Sequence, residues 1–439
     1  MQMSGRRVAP GALAWIVWCV GLLAYIIAVV NRTSLSAVGV QAADRFLAEA
    51  SVLSLFAVIQ LAVYGGMQIP IGLLLDRFGA RPVMVIGMFV MACGQFAMAF
   101  SSSIAVALVA RVLLGAGDAA IFPGLVRLIA LWFPAQRAPM LTQATGMVGQ
   151  TGQLLALLPL AALLKASSWT VTFGSIAGLT VLFGILSWML IRNRPAELNQ
   201  DVSIDTSTGV IRVVTSAIDL RVGVGAAWSH PGTRLAFWSH FTTVFLGMSF
   251  ALLWGMPFLT AGAQLSVGDA GILLTLLVLT GILFSPILGE LSRRFPTQRS
   301  AVIVLPVVIF QLIAWLTVMV WPGVPPLVLL VVLMVALGTG GPASMIAFDH
   351  ARTYNPAHRL SAATGLVNSG GYMASLIATF VIGITLDLQT GGGSISNHSL
   401  DAYQNAFLAP LPLWAIGVAF ILIERRKTRI RLGLHRPRN

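Results

Sequence analysis

Twelve long apolar runs decide what this chain can be. By approximate boundaries they cover residues 13–39, 50–75, 82–100, 104–133, 139–164, 169–191, 235–261, 268–290, 300–321, 326–349, 360–387 and 403–423. A hydrocarbon core about 30 Å thick is crossed by roughly twenty helical residues. Inside it every backbone N–H and C=O must be satisfied by the protein itself, so runs of this length predict membrane-spanning helices. With 57% hydrophobic and only 9% charged residues over 439 positions, a soluble globule is excluded. The expected fold class is an all-α membrane protein with twelve transmembrane helices.

The sparse charges orient it. If both termini are cytoplasmic, the inner side receives Arg77, Arg81, Arg127, Arg137, Arg192, Arg194, Arg293, Arg294, Arg299, Arg352, Arg359 and the basic run from Arg425 to Arg431, while the outer loops receive only Arg45 and Lys165. That is the positive-inside pattern. It accounts for the net charge of +13 by topology and contact with membrane lipids, and nucleic acid is not an expected partner. The first run is too long for the core of a cleaved leader, and Arg6 and Arg7 stand before it as a cytoplasmic anchor. Cys19 and Cys93 both fall inside apolar runs, where they read as small packing residues. The expected location is the plasma membrane, or the cytoplasmic membrane of a bacterium.

The chain repeats itself. Phe133-Pro-Ala-Gln-Arg137 returns as Asn355-Pro-Ala-His-Arg359, and Ala144-Thr-Gly-Met-Val-Gly149 returns as Ala363-Thr-Gly-Leu-Val-Asn368. Pro70-Ile71, Gly72 and Arg77-Phe78 are echoed by Pro286-Ile287, Gly289 and Arg294-Phe295. Three segments in one order at nearly one spacing predict two six-helix, pseudo-symmetric bundles. Their expected limits are 1–191 and 234–424, with a cytoplasmic linker over 192–233 and a basic tail over 425–439. Val210 to Val214 reads as linker with some amphipathic character, and Asn397-His-Ser399 as a sequon in an outer loop. Two such halves suggest a transporter that rocks about a site near the midplane.

Arg111-Val-Leu-Leu-Gly-Ala-Gly-Asp118 sets two charges in the fourth run, on one helix face and about 10 Å apart. An ionised side chain in hydrocarbon costs several kcal/mol unless it is paired or faces a wet cavity, so such residues read as functional. Gly115 and Gly117 between them leave that face open to a neighbouring helix or a ligand. Arg32 in the first run and Arg111 in the fourth fall at comparable depth, where two guanidiniums can share a carboxylate or phosphate through bidentate bonds. Asp118 can partner an arginine in the empty protein and take a proton when an anion displaces it. The plainer alternative is that Arg111 and Asp118 neutralise each other or their neighbours as structural pairs.

Two further patterns carry a family resemblance. Gly72-Leu-Leu-Leu-Asp76-Arg77-Phe-Gly79-Ala-Arg81, between the second and third runs, resembles the signature loop of the major facilitator superfamily, with Ala80 in place of the usual basic residue. The resemblance implies the major facilitator fold and a gating role for Gly72, Asp76, Arg77, Gly79 and Arg81, with Asp76 meeting a helix end or a basic residue in one state and losing it in the other. More narrowly, Tyr25 to Ala37, Tyr64 with Gln68, Arg111 to Asp118 and Leu131-Trp-Phe-Pro-Ala-Gln-Arg137 are similar to the anion:cation symporter and organophosphate antiporter branches. That similarity implies substrate-binding roles for Arg32, Arg111 and Tyr64, and proton coupling through Asp118. Asn31 departs from it, since those symporters commonly have an acid there.

In the second half, Asn368 and Tyr372 lie one helical turn apart in a run that lines the cavity in this superfamily, and they complete the expected substrate contacts. Amides and hydroxyls also serve as ordinary interhelical hydrogen bonds. His240 reads as a packing or cavity histidine, and Asp269, Asp349 and Asp387 as interfacial residues near span ends. No phosphate-binding Gly-rich loop ends in Lys-Ser or Lys-Thr, and no His/Cys metal cluster or nucleophile-base pair is evident, so neither an enzyme nor a cofactor is expected. The expected function is secondary transport of a small organic anion (a carboxylate, sugar acid or phosphate ester) with proton symport, by a monomer. Proton-coupled efflux of amphiphilic compounds and a non-transporting membrane sensor are the alternatives.

Overall fold

The computed structural model describes residues 11–35, 42, 45, 46, 50–194, 224–390 and 399–433, and all regular structure in them is helical. The segment from Val210 to Val214 and the sequon at Asn397 lie outside the described residues. Among the described residues eleven helices are long and apolar enough to cross a membrane. The fifth apolar run is helical throughout but broken in pattern: Ala138–Leu155 is α-helical, Ala156–Leu160 is π-helical around Pro159, and Ala161–Ala166 is α-helical again. Proline cannot donate to the i−4 carbonyl, and the wider turn absorbs that loss.

The chain divides into two compact units. The first comprises Met1–Ala227 together with Asn355–Leu366, and the second Trp228–Tyr354 together with Val367–Asn439. In the first unit the site is built on α1 (Ala12–Thr33), α2 (Ala50–Phe78), α3 (Ala80–Phe100), α4 (Ile104–Asp118) and α5 (Ile121–Trp132). In the second, α6 (Pro231–Ser249), α7 (Val267–Arg294), α8 (Leu327–Gly338), α9 (Gly340–Tyr354) and α10 (Leu360–Thr390) matter most, although the first turns of α10 are counted with the first unit.

Each unit turns large side chains both inward and outward. In the first, Phe46, Phe56, Met98, Trp169 and Phe173 form a buried cluster. In the second, Phe250, Phe258, Trp315, Tyr403 and Phe407 do the same. Ile86, Phe96, Phe100 and Trp188 in the first unit and Leu283, Phe380 and Leu388 in the second are more than half exposed, which suits a surface facing lipid. Free Cys19 and Cys93 share that exposed surface, so they pack against the outside of the bundle and not in its interior.

Candidate functional site

The unbroken fourth span expected from sequence is two helices. Ser103 caps the start of α4 by accepting the N–H of Val106 at 3.3 Å. The helix ends at Asp118, the chain turns through Ala119 and Ala120, and α5 continues from Ile121. Close packing holds α4 in place: a Cβ on Gly115 would strike the backbone carbonyl of Gln60 on α2, and one on Gly117 that of Gly87 on α3. These glycines therefore admit neighbouring helices rather than a ligand.

Asp118 is 1% exposed, and Arg32 from the last turn of α1 takes both of its oxygens. Nε donates to Oδ2 at 2.7 Å and Nη2 donates to Oδ1 at 3.0 Å. Two parallel charge-assisted bonds are the strongest geometry available to this pair. The Arg32 guanidinium also lies over the ring of Tyr64, 4.7 Å from its centre, where the negative face of the π system adds to its neutralisation. The structure thus brings together Arg32, Tyr64 and Asp118, and the partner of Asp118 is Arg32 and not Arg111.

Arg111 is placed differently. Its side chain is 1% exposed, and Nη1 donates to Oε1 of the buried Gln60 at 2.8 Å. Among the described residues Arg111 Nε and Nη2, and Gln60 Nε2, have no hydrogen-bond partner. No carboxylate pairs with Arg111 among the described residues. A buried guanidinium with two unmatched donors pays a desolvation penalty that an incoming acceptor relieves. Asn31, beside Arg32, is also fully buried, with Nδ2 donating to the Ile27 carbonyl at 2.8 Å and to Thr180 Oγ1 at 2.9 Å. Sequence reading did not single out Gln60; its signal was an amide inside an apolar run.

In the second unit, Asn368 on α10 meets His240 on α6, with Asn368 Oδ1 3.2 Å from His240 Nε2. The imidazole stands edge-on to Phe348 and occupies the space a Cβ on Gly371 would take. Tyr372 is half-buried on the same helix.

The signature-loop residues form a second site at the basic end of the first unit. Asp76 pairs with Arg127 of α5, and its oxygens accept the backbone N–H of Ser361 at 3.0 Å and of Ala362 at 2.7 Å. These are unsatisfied donors of the first turn of α10, where an anion is favoured by the helix dipole. Arg127 also donates to Ser361 Oγ at 2.7 Å. Gly72 is a close-approach position, since a Cβ there would come within 2.5 Å of the Ser361 carbonyl oxygen. Gly79 adopts φ +84°, which other residues rarely tolerate, as the chain turns into α3. Arg81 is fixed by Asn193, which accepts its backbone N–H at 2.8 Å, and by the ring of Trp188 at 4.3 Å. Arg77 is exposed and lies over Phe78 at 4.9 Å.

Asp349, near the end of its span, is buried within the second unit at 1% exposed. It accepts from Ser292 Oγ of α7 at 2.5 Å and from Arg352 at 2.9 Å. Arg299 completes the cluster, donating to Ser292 Oγ at 2.9 Å and to Thr353 Oγ1 at 2.8 Å. Burial pulls the Arg299 guanidinium down from its ordinary range, and the Asp349 carboxylate opposes that.

Comparison with known proteins agrees with this architecture. The model of a family described as the Major Facilitator Superfamily matches residues 21–379. The uncharacterized transporter YybO of Bacillus subtilis (strain 168) is 28% identical over 187 residues, 42% of this chain and 43% of that protein. A probable L-galactonate transporter of Escherichia coli (strain K12) is 29% identical over 177 residues, 39% of each chain. The chain therefore spans less than half the length of these two curated relatives. Among solved structures, the proton:xylose symporter XylE bound to 6-bromo-6-deoxy-D-glucose superposes with a TM-score of 0.66 over 96% of this chain and 97% of that one, at 15% identity. That identity carries the fold alone.

Proposed function

The chain belongs to the Major Facilitator Superfamily, a multi-pass membrane transporter and not an enzyme, and from that premise we propose that it moves a small organic anion by alternating access with proton symport. The observation that carries this reading is the buried, acid-free guanidinium of Arg111, with Nε and Nη2 unmatched. An anion that accepts from those two donors removes their desolvation penalty, whereas a neutral amphiphile leaves it in place. Arg32 is the second candidate anchor. It is held by Asp118 in this state and is released when that carboxylate takes a proton.

A sugar acid is the favoured substrate within this class. The Escherichia coli relative, a probable L-galactonate transporter, points to a hexonate, and a hexonate offers one carboxylate for the arginines and several hydroxyls for neutral groups. Tyr64, Asn368 and Tyr372 are the proposed uncharged contacts. Gly72, Asp76, Arg77, Gly79 and Arg81 are proposed to gate the inner end, Asp76 releasing the first turn of α10 as the protein changes state.

The test is uptake of radiolabelled L-galactonate into proteoliposomes with the outside acidic. Wild type should accumulate it, and Arg111→Gln should reduce uptake at least tenfold, the effect of losing one charge-assisted bond of about 1.5 kcal/mol or more. Full uptake by Arg111→Gln would sink the anion reading.

A further inference from the structure

Asp118 stands alone at its depth. In the span Ile104–Trp132 it lies at the centre, fourteen residues from either end. Every other described carboxylate lies close to the end of an apolar run: Asp76, Asp269, Glu290, Asp349, Asp387, Asp401 and Glu424. Of the helices packed on α4, α1 brings Arg32 to the carboxylate and α2 brings Tyr64 over that arginine. The remaining charged side chains of these helices, Asp76 and Arg77 on α2, Arg81 on α3 and Arg127 on α5, sit at the far, basic end. Asn31, which adjoins Arg32, is an amide engaged with Ile27 and Thr180 and takes no proton. His240 in the second unit is buried against Phe348 and Asn368 and pairs with no carboxylate among the described residues.

From this charge count we propose that the protein couples one proton to one monovalent anion and that the cycle is electroneutral. The inference rests on the anion reading above and extends it to stoichiometry. In the empty protein Arg32 and Asp118 cancel, and Arg111 leaves the buried site at one positive charge. When a monoanion binds and one proton protonates an Asp118 oxygen, the added charges cancel and the site returns to one positive charge. The loaded and empty carriers therefore cross with the same charge, and the membrane potential does no work on the cycle. A second proton would need a second mid-membrane acid, and Asn31 is not one.

The experiment measures steady-state accumulation of radiolabelled L-galactonate in proteoliposomes under an imposed pH gradient, with a potassium diffusion potential clamped at zero or at 100 mV inside negative, and counts protons with a trapped pH dye. One net charge moved per cycle would change the accumulation ratio about fifty-fold across 100 mV. The expected result is accumulation driven by the pH gradient, unchanged by the potential to within about twofold on that scale, with one proton per substrate. A severalfold gain from the potential, or a proton ratio near two, overturns the stoichiometry but leaves the anion reading standing. Absence of both gradient-driven uptake and counterflow overturns the two together. Asn31→Asp supplies the missing acid and should make uptake potential-sensitive. Asp118→Asn should lose accumulation driven by the pH gradient; accumulation that survives Asp118→Asn overturns the proposal even if the Asn31 variant does not fold.

Discussion

The pairing of Arg32 with Asp118 predicts an asymmetric double-mutant cycle. Asp118→Asn leaves the Arg32 guanidinium, whose side chain is only 20% exposed, facing a neutral amide. Removing one partner of a buried pair costs about 3 to 5 kcal/mol. The residual exposure of Arg32 and its stacking on Tyr64 place this case at the lower end, about 3 kcal/mol. Arg32→Gln leaves instead a carboxylate that is 1% exposed. A carboxylate can discharge by binding a proton and a guanidinium cannot, so this variant should lose less than Asp118→Asn at pH 5 and lose progressively more as the pH rises. The double variant Arg32→Gln/Asp118→Asn removes both charges and should be more stable than the sum of its parents predicts, by about 2 kcal/mol or more. Thermal unfolding of the purified protein, followed through its 11 tryptophans, measures all four species at two pH values. Additive losses, or Arg32→Gln being the worse single variant at pH 5, would refute the assignment of these two side chains as each other's counter-charge.

Three other outcomes are expected. Asp76→Asn replaces an acceptor of two backbone N–H groups with a side chain that accepts at one end only, and it breaks the pair with Arg127; uptake should fall about tenfold, the equivalent of one hydrogen bond of about 1.4 kcal/mol, and unchanged uptake would argue against the gate. Gly72→Val drives a side chain onto the Ser361 carbonyl, so size-exclusion profiles should show folded protein at a cost of about 1 to 3 kcal/mol while transport is lost. Asp349→Asn removes the acceptor shared by Ser292 and Arg352 and should lower thermal stability by about 3 kcal/mol while the protein that remains folded still transports.

What could be read from the sequence was whatever offends against an apolar background. Arg32, Arg111 and Asp118 are costly where they stand, and that cost marks them in one dimension. The Gly72 to Arg81 loop is legible for the same reason, as charge and glycine between two spans. Partnership was not legible, because it depends on which helix faces meet: the turn at Ala119 and the packing of Gly115 on Gln60 are tertiary facts. Gln60 was invisible because an amide in a span is usually an ordinary interhelical bond. Ser361 and Ala362 contribute backbone N–H groups to Asp76, and a backbone donor has no sequence signature.

The burial of Asp349 is explained by the repeat. The offset of 222 residues that relates Arg137 to Arg359 carries Arg127 onto Asp349, and the offset of 216 that relates Pro70 to Pro286 carries Asp76 onto Ser292. In the second half the acid stands where the first half has its arginine, and a serine stands where the first half has its acid. In the first, the carboxylate is on the span before the signature turn and reaches the start of α10. In the second, the carboxylate is on α9, and it is closed by Ser292, Arg352 and Arg299, all from its own unit. Both carboxylates have their partners within one unit, and they differ in what they hold: side chains at Asp349, and the first-turn N–H groups of α10 at Asp76. On the proposed gating role of Asp76, Asp349→Asn should lower stability and Asp76→Asn should lower transport, and the reverse pattern would refute that role.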